Sequence, residues 1–417
     1  MHALILVLAL LFTVAQAPAP PSAVADIIAS PSFKRATAAL EADQERFVHE
    51  LILLTEIPAP PFEEKARATK YLEMLREAGL TDVEMDAEGN VMGLRRGTGG
   101  GELLAVMAHL DTVFPEGTAV KVHRDGTRLM APGVGDDTRG LATMLSVIRA
   151  MDAGKFQTAA DVLFVGNVGE EGEGDLRGTK FLLGRGKYKG RITQLISIDG
   201  SNQSQIVNGA LGSRRYRVTF SGPGGHSYGA FGLVSPAYAM GKAIARFSET
   251  AVTSTPRTTY NVGVVGGGTS VNSIPAETFM TVDMRSESRA ELDRLVERFK
   301  TVVGDAVEHE NRSRSTAQGR IEAEIELIGD RPSGVTAVTT PLVQHAAAAV
   351  QSFGMTPRYA IGSTDANVPI SMGIPALAIG HGQGGRAHAL DEWVDVEPKG
   401  RVRAAQVILA LVLAAAG

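Results

Sequence analysis

The sequence predicts an α/β protein with a doubly wound, mostly parallel sheet and an inserted second unit of the ferredoxin-like βαββαβ type. Short apolar runs alternate with helical stretches along most of the chain, at residues 103–108, 162–168, 195–198 and 376–379. Such runs are typical of strands that are buried on both faces of a parallel sheet. Between residues 213 and 328 the order changes to strand, helix, strand, strand, helix, strand, which predicts the inserted unit.

The first 25 residues are predicted to be a signal peptide. Residues 3–15 form an uncharged apolar run that is too short for a membrane-spanning helix. One A-x-A cleavage motif ends at Ala17, but Pro18 follows it, so the motif that ends at Ala25 is favoured. We therefore expect a secreted or periplasmic protein. Because no Lys or Arg precedes the apolar run, an uncleaved membrane anchor is the alternative.

The next elements are predicted from helical periodicity. Residues 33–54 and 63–78 have helical patterns that a proline-rich break separates, and the apolar residues after Gly140 recur at helical spacing. A helix over residues 341–353 restores the α/β alternation after the insertion, and the apolar residues 404–416 predict a buried final helix. Residues 26–212 and 329–417 are therefore assigned to one discontinuous domain.

The inserted unit is assigned to residues 213–328. Its predicted strands cover residues 215–220, 260–265, 279–284 and 321–327, and its predicted helices cover residues 237–247 and 290–307. A chain of 417 residues also exceeds the usual size of a single core, so two domains are expected from length alone.

Composition limits the possible functions. The net charge of −5 argues against nucleic acid as a partner. The chain contains no cysteine, so it has no disulfides, and any bound metal must be held by nitrogen and oxygen ligands.

Histidine and acidic side chains lie just past the predicted strands or, in one case, before a helix. They are His109, Asp111, Asp136, Asp137, Glu170, Glu171, Asp199 and His388. Each residue alone fits a surface or helix-capping role, but loops after the strands of an α/β sheet converge on one edge. The complete set therefore predicts a two-metal hydrolase. Asp111 is placed to orient His109, and the neighbouring side chains of Glu170 and Glu171 leave the chain in different directions.

These motifs resemble the co-catalytic zinc exopeptidases, a family that includes peptidase T, carboxypeptidase G, aminoacylase and acetylornithine deacetylase. The resemblance runs from about residue 51 to the C-terminus and includes the segments 222–226 and 272–275. It implies that Asp136 bridges two divalent metal ions, most commonly zinc, with cobalt or manganese as alternatives. It also implies the remaining roles: His109 and Asp199 at one metal, Glu171 and His388 at the other, Glu170 as general base, and Asp111 as the residue that orients His109.

The resemblance also implies roles for the inserted unit and the substrate pocket. His226 would stabilise the oxyanion, in some relatives from across a dimer, so residues 213–328 are expected to form a lid and dimerisation domain. Candidate substrate-binding residues are Asn272, Arg285, Ser363 and Asp365. One departure from the family pattern is that Thr138-Arg139 follows the Asp pair where Lys is usual, and Arg139 is assigned no role.

The main rival hypothesis is a serine esterase. Gly225-His226-Ser227-Tyr228-Gly229 matches G-x-S-x-G, and Asp365 and His388 follow Ser227 in the order that such an enzyme needs. A nucleophile elbow also needs a helix directly after the serine, and glycines and a proline interrupt the chain there. This hypothesis would leave the Asp and Glu pairs unexplained.

The resemblance is strongest to the peptidase T-like members. In the family, Asp rather than Glu at the position of Asp199 is more usual in aminopeptidases. The expected activity is therefore aminopeptidase cleavage of short peptides, of the tripeptidase or dipeptidase type. A carboxypeptidase or an N-acyl amino acid deacylase of the same family is the alternative.

Overall fold

The computed structural model of this protein describes residues 22–99 and 101–417. The chain up to the insertion forms these elements: α1 (Ser22–Ala29), α2 (Pro31–Ala42), α3 (Gln44–Thr55), α4 (Lys65–Glu77), β1 (Thr81–Met85), β2 (Val91–Arg95), β3 (Leu103–His109), β4 (His123–Asp125), β5 (Arg128–Met130), α5 (Thr138–Gly154), β6 (Asp161–Asn167), α6 (Arg177–Gly184), β7 (Gln194–Ile198) and β8 (Gln205–Ala210).

The inserted unit and the last part of the chain complete the fold. The insertion contains β9 (Gly212–Ser221), β10 (Gly225–His226), α7 (Pro236–Ser248), β11 (Thr258–Gly267), β12 (Ser273–Ile274), β13 (Glu277–Ser286), α8 (Arg289–Ser313) and β14 (Glu322–Arg331). The chain then forms β15 (Gly334–Val335), α9 (Pro341–Ser352), β16 (Arg358–Gly362), α10 (Asn367–Ser371), β17 (Ala376–Ile379), β18 (Gly384–Gly385), β19 (Trp393–Asp395) and α11 (Pro398–Ala416).

A nine-stranded sheet forms the centre of the larger unit, with strand order β1-β2-β6-β3-β7-β17-β8-β15 and β16 paired to β8. The central pairs β6–β3, β3–β7 and β7–β17 are parallel, and antiparallel strands lie toward the edges. Successive side chains of β3 enter different apolar clusters on opposite faces of the sheet: Leu104 and Val106 on one side, Leu103 and Ala105 on the other. The predicted α/β fold with a mostly parallel sheet is confirmed.

The inserted unit has its own antiparallel sheet, in the order β11-β13-β9-β14. This is the strand order of a ferredoxin-like βαββαβ unit, and α7 and α8 contribute to its separate apolar core. Alternating residues of β9, among them Tyr216, Val218 and Phe220, are buried in that core. The opposite residues of β9 therefore remain available to face the larger unit.

The N-terminal helices meet at a break that the sequence pattern does not predict. The helical pattern over residues 33–54 is divided between two helices, because α2 ends at Ala42 and α3 begins at Gln44. Between them, the carboxylate of Asp43 accepts hydrogen bonds from Ser146 Oγ (2.6 Å) and Arg149 Nη2 (2.7 Å) of α5. The break is therefore a tertiary contact, which periodicity within the segment does not reveal.

The predicted signal peptide falls mainly on residues 1–21, which lie outside the described residues. Its last four residues, 22–25, belong to helix α1, and Val24 in that helix is fully buried against the core. At the other end of the chain, α11 is buried along most of its length, as predicted for residues 404–416. Among the described helices, none combines the length and apolar character needed to cross a membrane.

Candidate metal centre

The structure places several of the candidate ligands at the ends of three adjacent parallel strands. His109 is the last residue of β3, Glu170 and Glu171 follow β6, and Asp199 directly follows β7. Because β3 lies between β6 and β7, these side chains emerge at one edge of the sheet. Two further ligands come from turns beside that edge: Asp136 precedes α5, and His388 lies between β18 and β19.

Asp136 lies between the two histidines. Its Oδ1 atom is 2.9 Å from His109 Nε2, and its Oδ2 atom is 3.2 Å from His388 Nε2. His388 Nε2 is also 2.9 Å from Glu171 Oε1. Ligand atoms lie within 4.8 Å of one another in two sets that share Asp136: one contains His109 and Asp199, and the other contains Glu171 and His388.

This donor set fits two divalent ions. The two oxygens of one carboxylate each face a different imidazole, which is the arrangement that a bridging ligand requires. Each side adds one further carboxylate, and nitrogen and oxygen donors of this kind suit zinc, cobalt and manganese. His109, Asp136, Glu171, Asp199 and His388 are thus the residues that would hold the ions.

The charges of these groups are strongly coupled. Hydrogen bonds that the imidazole donates to the carboxylates of Asp136 and Glu171 raise the pKa of His388 to about 10. Burial would raise the pKa of Asp136, but His109 and His388 lower it below its usual range. Burial, together with the charge of Asp136, raises the pKa of Asp199 to about 7. Metal binding at this site must therefore displace protons.

Glu170 has a different environment from its neighbour Glu171. The residue is 4% exposed, and burial raises the pKa of its carboxyl well above the usual range, against the opposing charge of Arg331. Arg331 Nη1 lies 3.1 Å from Glu170 Oε1 and donates to Ser363 Oγ at 2.9 Å, and Arg331 Nη2 donates to the Glu170 carbonyl. A buried carboxylate held in this way can accept and return a proton.

Asp111 has two roles in the structure. Its backbone carbonyl is 3.0 Å from His109 Nδ1, closer than its own carboxylate Oδ1 at 3.6 Å. The carboxylate accepts from the backbone N–H groups of Glu170 (3.0 Å) and Glu171 (2.7 Å). The predicted orientation of His109 therefore comes mainly through the main chain of Asp111, and its carboxylate positions the Glu pair.

Glu392 is a residue that sequence reasoning left without a role. It is almost fully buried, and its carboxylate accepts from the N–H groups of Gly133 (3.0 Å), Gly135 (2.8 Å) and Asp136 (2.7 Å). Burial raises the pKa of Glu392 to about 7. It lies in the segment Asp391-Glu392-Trp393 that follows His388, so its place in that motif was the available signal.

A cavity of about 620 Å³ opens over the ligands. Among the predicted substrate-binding residues, Arg285 and Ser363 line it. Asp365 is fully buried below the cavity, where it accepts from Thr179 Oγ1 and from Asn167 Nδ2 (2.7 Å). Asp365 does not line the cavity and each of its carboxylate oxygens already has a protein donor, so the structure does not support its predicted substrate-binding role.

Asn272 and His226 lie together on the inserted unit, away from this cavity. His226 is exposed on β10, which pairs with β12, and its Nδ1 accepts from the N–H groups of Tyr228 (3.2 Å) and Gly229 (3.3 Å). Asn272 Oδ1 accepts from Ser270 Oγ at 2.5 Å. Neither side chain reaches the cavity of its own chain.

The serine esterase hypothesis fails on geometry. No helix follows Ser227 directly, since α7 begins only at Pro236. Asp365 is engaged with Thr179 and Asn167, and His388 contacts Asp136 and Glu171. Two of the three residues that such a triad would need, Asp365 and His388, are therefore engaged with other partners.

Arg139, the departure from the family pattern, is buried beside the Asp pair. Its Nη1 donates to the Gln383 carbonyl at 2.6 Å, and a Cβ at position 382 would lie 2.1 Å from Arg139 Nη2. Gly382 thus makes room for the guanidinium. Burial lowers the pKa of Arg139 to about 10.

Comparison with known proteins agrees with this site. The model of peptidase family M20/M25/M40 matches residues 105–414. The chain belongs to this family. It is an M20 metallopeptidase, a hydrolase of peptide bonds, with the mixed α/β fold of its relatives.

Three similar proteins illustrate the relationship. The chain is 25% identical to the uncharacterised protein YqjE of Bacillus subtilis over 90% of this chain and 99% of that one. Two solved structures have a similar fold, each with a TM-score of 0.71. Aminopeptidase PepT of Bacillus cereus is 23% identical, with 90% of this chain and 99% of that chain covered. A tripeptidase of Staphylococcus aureus is 21% identical, with 89% and 99% covered.

Proposed function

We propose that this M20 metallopeptidase releases N-terminal residues from short peptides with the help of two divalent ions, most commonly zinc. The observation that carries the proposal is the position of Asp136, whose two oxygens contact the imidazoles of His109 and His388 (2.9 and 3.2 Å). The shorter side chain of Asp199 leaves space beside one ligand set, where a free α-amine can bind. The similarity of this fold to those of an aminopeptidase and a tripeptidase supports the choice of an aminopeptidase.

The chemistry divides between the ions and the protein. Two bound divalent ions supply Lewis acidity toward the scissile carbonyl and lower the pKa of water. Glu170 accepts the proton of the attacking water and passes it to the leaving amine. Arg331 holds Glu170 at 3.1 Å, and Asp111 fixes the main chain of the Glu pair. Arg285, on the cavity wall, binds the terminal carboxylate of the peptide.

We further propose that His226 acts across a homodimer. In its own chain it is exposed and does not line the cavity. The inserted unit also exposes large apolar side chains, including Tyr228 (89% exposed) and Phe231 (86% exposed). Large exposed apolar patches are typical of protein interfaces. A partner that covered them would bring His226 near a second active site, where an imidazole N–H stabilises an oxyanion.

The substrate assignment can be tested with metal-loaded protein. Free tripeptides of alanine should be cleaved from the N-terminus, and their N-acetylated forms should be poor substrates. Dialysis against a chelator should abolish activity, and Zn²⁺, Co²⁺ or Mn²⁺ should restore it. If an N-acyl amino acid has the higher kcat/KM, the enzyme is a deacylase of the same family instead. We propose that this enzyme acts outside the cytoplasm, as the N-terminal apolar run predicts.

A further inference from the structure

The wall of the cavity nearest the inserted unit is formed by three arginines. Arg285 comes from β13, Arg215 from β9 and Arg331 from the end of β14, which are neighbouring strands of one sheet. Among the described residues that line the cavity there is no Leu, Ile, Met or aromatic side chain. The cavity is therefore suited to polar and charged substrate groups rather than to a large apolar side chain.

One carboxylate orients two of these arginines. Asp283 Oδ1 accepts from Arg215 Nε at 3.2 Å, and its Oδ2 accepts from Arg285 Nε at 2.7 Å. Asp283 and Arg215 are direct cross-strand partners in the register of β13 and β9. Because both contacts use Nε, the terminal nitrogens of the two guanidinium groups are left for other partners.

Most of those terminal nitrogens have no acceptor among residues 22–99 and 101–417. Arg215 Nη1 donates to the Gly172 carbonyl at 2.6 Å, but within the described part of the chain no acceptor is found for Arg215 Nη2 or for Nη1 and Nη2 of Arg285. Among the described residues, the three guanidinium groups form ion pairs with two carboxylates, those of Asp283 and Glu170. One positive charge on this wall is thus uncompensated.

We propose that Arg215 is a specificity-determining residue that binds an acidic side chain of the substrate. The inference rests on the proposed function, in which Arg285 takes the terminal carboxylate. Arg215 then offers a second guanidinium, already oriented by Asp283, to a second carboxylate. Planar guanidinium groups pair with carboxylates through parallel hydrogen bonds, and such charged pairs are the stronger ones in proteins. The enzyme therefore prefers short peptides that contain Asp or Glu.

The test compares isosteric peptide pairs. In a tripeptide of alanine, one residue is replaced by Glu in one peptide and by Gln in its partner, and a second pair compares Asp with Asn. Each of the three positions is substituted in turn, and kcat/KM is measured with the metal-loaded enzyme. At one position the acidic peptide should be favoured by roughly 10-fold or more, as expected for a hydrogen bond between charged groups. In Arg215→Gln the ratio of kcat/KM for the acidic peptide to kcat/KM for its amide partner should fall to about 1. Arg215→Lys should give an intermediate ratio, because the positive charge remains but the planar pair of N–H donors is lost.

Arg217→Gln is the matched control. Arg217 lies two residues along the same strand, where its guanidinium stacks on the ring of Phe279 at 3.8 Å, and it does not line the cavity. This variant should keep the wild-type ratio. Arg215 also contacts the Gly172 carbonyl near the Glu pair. If Arg215→Gln lowered kcat/KM equally for both peptides of a pair, the role of Arg215 would be structural and the proposal would be overturned.

The two proposals fail in different ways. Wild-type enzyme that cleaves neutral tripeptides without any preference for Glu over Gln would refute only the role of Arg215. Wild-type enzyme that cleaves no free peptide at all would refute the proposed function itself.

Discussion

Glu170 and Glu171 are adjacent in sequence, but their side chains have different partners. Glu171 Oε1 contacts His388 Nε2 at 2.9 Å, whereas Glu170 Oε1 contacts Arg331 at 3.1 Å. Glu170→Gln should therefore retain both metals and lose turnover by roughly 10²- to 10⁴-fold, because an amide cannot accept the proton but can still accept from Arg331. Glu171→Gln should instead weaken metal binding. Metal content and kcat, measured on both variants, distinguish these results, and exchanged phenotypes would reverse the two roles.

The pKa of Asp199, raised to about 7, predicts how metal affinity depends on pH. A carboxyl with a raised pKa holds its proton below that value, and the proton must leave before the oxygen can bind a metal. Affinity should therefore fall as the pH drops below about 7, by up to tenfold per unit for this one group. His388, with a pKa near 10, adds proton release above pH 7. Calorimetric titration in buffers of different ionisation enthalpy counts these protons, and pH-independent affinity would contradict the prediction.

At the scale of single residues, sequence reasoning found those whose position alone is informative. His109 is the last residue of a strand, and Glu170, Glu171 and Asp199 lie within four residues after strands, so the topology predicts where they lie. It could not find Arg331, whose role depends on a contact between residues 161 positions apart. It also gave Asp365 a substrate-binding role that the structure does not support, because only the folded chain shows that Thr179 and Asn167 donate to its carboxylate oxygens.

At the scale of elements, the turn before α5 carries the shared ligand and depends on a single distant carboxylate. Glu392 accepts three backbone N–H groups of that turn, including the N–H of Asp136 itself (2.7 Å). Glu392→Gln would set an amide N–H₂ group against one or more of these donors. We expect metal affinity to fall roughly 10- to 100-fold, as for other residues that support metal ligands.

Glu397→Gln is the control for that variant. Glu397 also accepts backbone N–H groups, those of Lys399 (3.1 Å) and Gly400 (2.7 Å), but it does so at the start of α11. Its substitution should lower stability slightly and leave metal affinity unchanged. If both variants lose the same affinity in a metal titration, the effect of Glu392 is one of general stability and not of ligand positioning.

Helices and strands could be told apart from the sequence because the helical and the strand periodicities are both strong in this chain. The apolar runs that became β3, β6, β7 and β17 are buried on both faces, and the alternation in β9 places one face in the core of the inserted unit. Element ends were less predictable. The break at Asp43 arises because Ser146 and Arg149 of a distant helix bind its carboxylate, and no local signal encodes that contact.

At the scale of the whole molecule, the insertion between β8 and β15 brings a second sheet against the metal centre. Three of its residues contact the turn that carries the Glu pair: Arg331 binds Glu170, Arg215 binds the Gly172 carbonyl, and the N–H of Asp330 binds the Asp175 carboxylate (3.0 Å). Both units therefore contact Glu170, the residue that we propose as general base. Sequence patterns predicted both units, but the contacts between them depend on how the two units pack.

The N-terminal helix α1 gives a prediction about the mature protein. Cleavage after Ala25 would remove Val24, which is 0% exposed and packed in the main core. A chain that begins at Asp26 should therefore be less stable than one that begins at Ser22, by about 1.5–3 kcal/mol for this side chain alone, and its melting temperature should be several degrees lower.

Thermal unfolding of the two chains measures the difference, and Ala25→Ser, at an exposed position of the same helix, should leave the melting temperature unchanged. For an exported enzyme that keeps this helix, we expect processing upstream of Ser22, where the motif that ends at Ala17 is the A-x-A site although Pro18 disfavours cleavage there. N-terminal sequencing of the secreted protein decides between the two sites. Asp26 as the first residue, together with an unchanged melting temperature, would show that α1 is not needed for the fold.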